Sequence, residues 1–311
     1  MPTDPQIPSS SSRTPRQAER APRWFPWTSL MLVTGIFLGF YAYWEAPAEI
    51  GRWHLAAARE FWREADYGEI QGNLSQVSEN RQKAFAKLED ALTWSSEEKS
   101  FLFQRAQWKL DSGQYEEALL DNNRLLERFP DELALLRLRA KIYHLLGRHA
   151  EAVKDAEHIN NLSKTSGNPP RASALNELAY AKAIGKIDLD SALQEINDAL
   201  ESEKHPAFLD TRGFIYYQMG KYELALKDLD PAAEFYEESA RTHAELVPLH
   251  RRVTPDIRKF EIELRQQNEP YAVIFYHRAL VHEKLGHAAA AAADRKRVHE
   301  LIGRDGDEKL F

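Results

Sequence analysis

At 311 residues with 43% hydrophobic content, the chain is long enough to bury one large core or two ordinary ones. Its formal net charge of −7 and pI near 5.9 lack the excess of lysine and arginine that nucleic-acid phosphates demand, so a nucleic-acid partner is set aside. The absence of cysteine excludes disulfides, thiolate catalysis, Cys-ligated zinc and iron–sulfur clusters.

Residues 1–25 are rich in proline and serine and carry arginines at 13, 16, 20 and 23, the composition of a disordered basic tail. From Pro26 to Trp44 the chain reads PWTSLMLVTGIFLGFYAYW, 19 residues without a charge. As a helix this run spans about 28 Å, close to the hydrocarbon thickness of a bilayer. Trp24, Phe25 and Trp27 cluster at one end and Tyr41, Tyr43 and Trp44 at the other, as amphipathic rings do at two interfaces. The run therefore predicts a single transmembrane helix over 26–44. Arg52, Arg59 and Arg63 lie beyond it, and the small excess of arginine before it favours a cytoplasmic N-terminus and an extracytoplasmic C-terminal part. Ala46-Pro47-Ala48 has the spacing of a signal-peptidase site, but the length of the run and its terminal aromatics favour an uncleaved anchor.

Residues 45–98 read as a helical neck, a degenerate first hairpin that caps the helical pairs beyond residue 98. An aromatic amphipathic stretch (Trp53, Leu55, Phe61, Trp62) and a helix with Ala84, Leu88 and Ala91 flank a polar loop around 67–79. Beyond the neck the chain repeats itself. Gly113, Gly147, Gly220 and Gly286 each have a small residue seven positions before and an alanine five after: Ala106 and Ala118, Ala140 and Ala152, Gly213 and Ala225, Ala279 and Ala291. Gly185 varies the theme, with Ala179 six before and Ala192 seven after, as though its turn, GKIDLD, were two residues longer. The physical reason is close approach, because antiparallel helices joined by a tight turn pack only where small side chains meet at their crossing. Glycine ends the first helix of each pair, where the backbone often needs φ > 0.

Gly113 to Gly147 is 34 residues, and here the chain resembles a tetratricopeptide repeat (TPR) protein. The resemblance is carried by AQWKLDSGQYEEALLDNNRLLERFP at 106–130, AKIYHLLGRHAEAVKDAEHI at 140–159 and LDTRGFIYYQMGKYELALKDLDPA at 209–232, and more loosely by 174–200 and 276–301. It implies an all-α fold, a right-handed superhelical solenoid of antiparallel helix pairs, with repeats over 99–232 and a final one over 271–303. The departures are Arg105, Arg212 and Arg278, where the family usually has leucine, and Pro231 inside an expected second helix. Residues 233–270 predict a helical insertion or decayed repeat that breaks near Pro248 and resumes after Thr254-Pro255-Asp256; 304–311 reads as a flexible tail.

Catalytic and metal chemistry finds no footing in the pattern. HEKLGH at 282–287 lacks the i, i+4 histidine spacing that zinc needs on one helix face, and Asp188/Asp190 and Asp228/Asp230 lack a calcium loop's glycine and distal glutamate. No phosphate loop, dinucleotide fingerprint or nucleophile elbow is present, so no cofactor and no catalysis are expected. What remains is binding. The resemblance implies a concave ligand groove lined by the first helices, which transfers to Phe103, Gln107, Arg137, Lys141, His144, Asn176, Tyr180, Asp210, Phe214, Tyr217 and Tyr276. Arg137 and Lys141, one turn apart, are placed to receive a carboxylate or an acidic peptide. The expected function is a membrane-anchored scaffold that holds a peptide or protein partner. The alternatives are an assembly subunit docking through its convex face or the 233–270 segment, and an unrecognised enzyme.

Overall fold

The computed structural model describes residues 25–42, 46–253 and 256–306, and every regular element among them is helical. The chain divides into two compact units, 1–49 and 50–311. In the first unit, α1 (Phe25–Phe40) continues into a short π-helical stretch at 41–42. Leu30, Met31, Leu32, Val33, Ile36, Phe37 and Leu38 are all exposed, so these apolar side chains face outward around the helix. Its assigned length of 16 residues is shorter than the uncharged run, and no helix among the described residues is long and apolar enough to cross a membrane.

The second unit is a file of antiparallel pairs. They are α2 (Ala46–Ile70) with α3 (Leu74–Trp94), α4 (Lys99–Asp111) with α5 (Tyr115–Arg128), and α6 (Leu133–Leu145) with α7 (His149–Ser166). Next come α8 (Arg171–Gly185) with α9 (Leu189–Ser202), α10 (Pro206–Gln218) with α11 (Tyr222–Val253), and α12 (Ile257–Lys284) with α13 (Ala288–Ile302). The neck is a full hairpin, and its loop is only 71–73, because Gly72 (φ 72°) turns the chain and Asn73 caps α3 by accepting from Gln76 N.

The glycine frame closes four of the turns. At Gly113 (φ 76°) the amide of the next residue, Gln114, donates to the Lys109 carbonyl at 2.8 Å. Arg148 to Tyr143, Lys221 to Tyr216 and His287 to His282 repeat that bond after Gly147, Gly220 and Gly286. The GKIDLD turn departs from expectation. Lys186 (φ 53°), not Gly185, takes the left-handed position, and Ile187 N donates to the Lys182 carbonyl. Counted from Lys186, Ala179 is seven before and Ala192 six after, so the turn is one residue longer rather than two, with Asp188 (φ 44°) absorbing the extra residue. Gly185 instead gives room to a neighbour, since a Cβ there would sit 2.7 Å from His149 Cβ.

At the crossings Ala106, Ala118, Ala152, Ala179, Ala192, Ala225 and Ala279 are completely buried, Ala291 nearly so, and Ala140 keeps a partly exposed edge. The expected break near Pro248 does not occur. α11 runs unbroken through Pro231 and Pro248, and α12 through Pro270, because one missing backbone donor is a local loss within helices of 32 and 28 residues. Near Pro231 Ala232, Ala233 and Tyr236 of α11 pack with Ala272 and Phe275 of α12 and Val298 of α13. Asp256 itself is the N-cap of α12, accepting from Arg258 N at 3.0 Å, while Thr254 and Pro255 lie outside the described residues.

Candidate functional site

The first helix of each pair, α2, α4, α6, α8, α10 and α12, contributes to one side of the array. In its later half that side is closed by packing. His277 of α12 is fully buried, 2.8 Å from Asp210 of α10 through Nδ1, stacked on Phe214 with ring centroids 4.2 Å apart and flanked by Tyr180 and Tyr276. In its earlier half the side is open. A cavity of about 550 Å³ lies between α2, α4, α6 and the N-terminal half of α12, walled by Trp62, Trp108, Asp66, Asp111, Lys141 and Ile262. A second, of about 450 Å³, shares Trp62, Asp66, Asp111, Lys141 and Ile262 with it and extends to Arg81 and Arg265. Trp62 and Trp108 form a parallel stack, centroids 4.6 Å apart, as one hard wall.

Of the residues assigned to the groove from sequence, Gln107 and Lys141 line these cavities. Phe103 is half-buried between the two cores that meet at α4. Arg137 is exposed but committed: its guanidinium grips Glu177 of α8 by two bonds, at 2.9 and 2.5 Å, so it is not a vacant anion receiver beside Lys141. His144 Nδ1 faces His149 Nδ1 at 3.0 Å, and burial, with His149 adding to it, pushes its pKa down to about 4. Asn176 is partly buried with its Oδ1 unbonded. Asp210, Phe214 and Tyr276 are buried, Tyr180 and Tyr217 half-buried, so this aromatic set packs helix against helix around His277 instead of presenting a wall to solvent. His282 faces His287 across its turn, Nδ1 to Nδ1, at 3.2 Å.

A polar feature missed in the sequence runs through four of the repeats. Arg105 grips Asp121, Arg139 grips Asp155, Arg212 grips Asp228 and Arg278 grips Asp294, each by Nε and Nη2 onto the two carboxylate oxygens at 2.7–2.9 Å. The spacing is sixteen residues every time, and an arginine sixteen before an aspartate was the available signal. The remaining Nη1 of each arginine reaches back to the second helix of the preceding pair: Glu89, Asn123, Asn197 and Asp230 respectively. Each arginine thus ties its pair together and to the preceding one with a fork of hydrogen bonds. In the α8/α9 pair Leu178 stands at the arginine's position, directly before Ala179, and Lys182 one turn further on bonds Glu195 at 2.5 Å and Ser191 at 2.9 Å.

The open half carries an electrostatic load. Burial pushes the Asp66 carboxyl up to about 7, opposed by Arg81 and reinforced by Asp111. Asp111 is raised as well, by desolvation of its carboxyl against the cavity wall, although the residue as a whole is exposed. A carboxyl whose folded pKa exceeds its unfolded value imposes no penalty below pH 3.8; the penalty grows from pH 3.8 to about 7 and is complete above. Asp66→Asn is therefore expected to stabilise the protein at pH 8, by about 1–2 kcal/mol once water in the cavity is allowed for, and to do nothing at pH 3.5. Urea denaturation of both proteins at the two pH values measures this; an equal effect at both would remove the ionisation account.

No protein-family model and no curated protein matches the chain. Among solved structures it is similar to a tetratricopeptide repeat protein from Parabacteroides merdae, at 17% identity and a TM-score of 0.52, over 79% of this chain and 93% of that one. It also aligns with MamA protein at 15% identity, over 66% of this chain and 91% of that one, with a TM-score of 0.35, too low to define a shared fold. At such identities the likeness to the first is one of fold: the described residues form an all-helical, TPR-like array.

Proposed function

We propose that this chain is a membrane-tethered, non-catalytic scaffold that seats a polypeptide partner on the side of the array formed by its first helices. The observation that carries the reading is the pair of joined cavities between α2, α4, α6 and α12, walled by stacked tryptophans and charged groups of both signs. The exposed apolar surface of α1 supports a tether in the lipid, with the basic residues before it on the cytoplasmic side and the array on the other. The assembly-subunit reading has its own support in Leu120, Leu224 and Phe235, exposed on the second helices α5 and α11.

Affinity capture from native membranes after cross-linking separates the two. A partner held in the groove is expected to be lost when Gln107→Glu and Lys141→Glu are combined, and kept when Leu120→Asp and Phe235→Asp are combined. The reverse pattern would favour docking through the outer surface.

A further inference from the structure

α12 has 28 residues, whereas α4, α6, α8 and α10 have 13 to 15, and its two halves are held very differently. The C-terminal half is locked in the core: Ala272, Ile274, Phe275 and Tyr276 are buried, and His277 bonds Asp210. The N-terminal half, from Asp256 to Gln266, reaches back to the first pair, where Arg258 bonds Glu64 of α2. Beneath it lie the two cavities, so it bridges α2, α4 and α6 without filling the space between them. Pro270 falls at the junction of the halves. It has no N–H to give the Gln266 carbonyl, so the hydrogen-bond ladder of the helix is interrupted where the packing changes from dense to sparse.

We propose that Asp256–Gln266 is a gate over the partner's seat, closed by the Arg258–Glu64 pair and pivoting at Pro270. In the closed state the arm takes up part of the groove, and an extended segment enters only when the arm swings off α2. Arg258 and Glu64 are both partly exposed, so the latch is a weak one that thermal motion opens. The loss of one backbone bond at Pro270 lowers the bending cost there while leaving the anchored half in place. The inference rests on the concave-side reading for its meaning, but the gating itself is measurable without a partner.

The cysteine-free chain permits a direct test. A single cysteine placed by Gln107→Cys on the cavity floor, in the full chain held in lipid nanodiscs, is treated with a maleimide-linked poly(ethylene glycol). Its modification is expected to be slow relative to a cysteine at the exposed position 120. Glu64→Arg, which sets like charges across the latch, is expected to accelerate it about fivefold or more. Adding Arg258→Glu should restore the slow rate, and Pro270→Ala, which rebuilds the missing bond, should slow it further. A rate at position 107 matching that at 120, or indifferent to both Glu64→Arg and Pro270→Ala, overturns the gate. Because no partner enters this measurement, that failure leaves the partner-capture result standing, and loss of the capture result leaves the gate standing.

Discussion

Arg139→Leu is expected to destabilise the array by about 3–4 kcal/mol, lowering the urea midpoint by about 1 M. Asp155 is almost wholly buried, and its two oxygens are satisfied by one guanidinium, so removing Arg139 strands a carboxylate inside the protein. The substitution also frees Asn123, the arginine's grip on the preceding pair. The companion experiment is the double variant Arg139→Leu with Asp155→Leu. A buried ion pair replaced as a unit by apolar groups is often neutral, so the double variant should return to within about 1 kcal/mol of wild type. If the double variant is as unstable as the single, the loss lies in packing shape, and the charge-stranding account fails.

Ala152→Glu is expected to be more damaging still, about 5 kcal/mol or more, enough to abolish cooperative unfolding of the α6/α7 pair. Ala152 has no exposed surface and lies five residues after the turn glycine Gly147, where α7 crosses its neighbour. A glutamate there brings both a volume that the crossing cannot admit and a charge with no partner. Circular dichroism on heating and hydrogen exchange across residues 133–166 report the loss, and a melting curve superposable on wild type would refute the crossing assignment. Gly213 shows why such sites are intolerant: even a Cβ there would sit 2.7 Å from Leu229 Cγ.

The turns and crossings were legible in the sequence because each depends on one residue with one property. Gly113, Gly147, Gly220 and Gly286 supply a left-handed backbone, and the alanines supply absence of bulk, both independent of distant context. The third turn misled because Gly185 stands beside the left-handed residue, and a lysine there takes a conformation usually left to glycine. Arg105, Arg212 and Arg278 looked like defects for a different reason. Their partners lie sixteen residues away on another helix, and a search for apolar periodicity discards them. The groove was the least legible part. Helical phase places Phe214 and Tyr276 on the correct side of their helices, but whether that side is open depends on how closely α8, α10 and α12 approach. That approach is set by His277 and Asp210, separated by 67 residues. The length of α11 was hidden by Pro248, which suggested a break where the helix continues.

Closing the last first-helix against the earliest one also alters how such an array must fold. A file of helix pairs that touch only their neighbours has almost entirely local contacts and can nucleate anywhere along its length. The contact between Glu64 and Arg258 joins residues 194 apart, so its loop-closure entropy is offset only after the intervening pairs have docked. The order of events is then constrained: the repeats assemble first from short-range contacts, and the ends meet last. A nascent chain emerging N-terminus first would leave the cavities beside α2, α4 and α6 uncovered until α12 is complete, and they would be bridged only as the final pair folds.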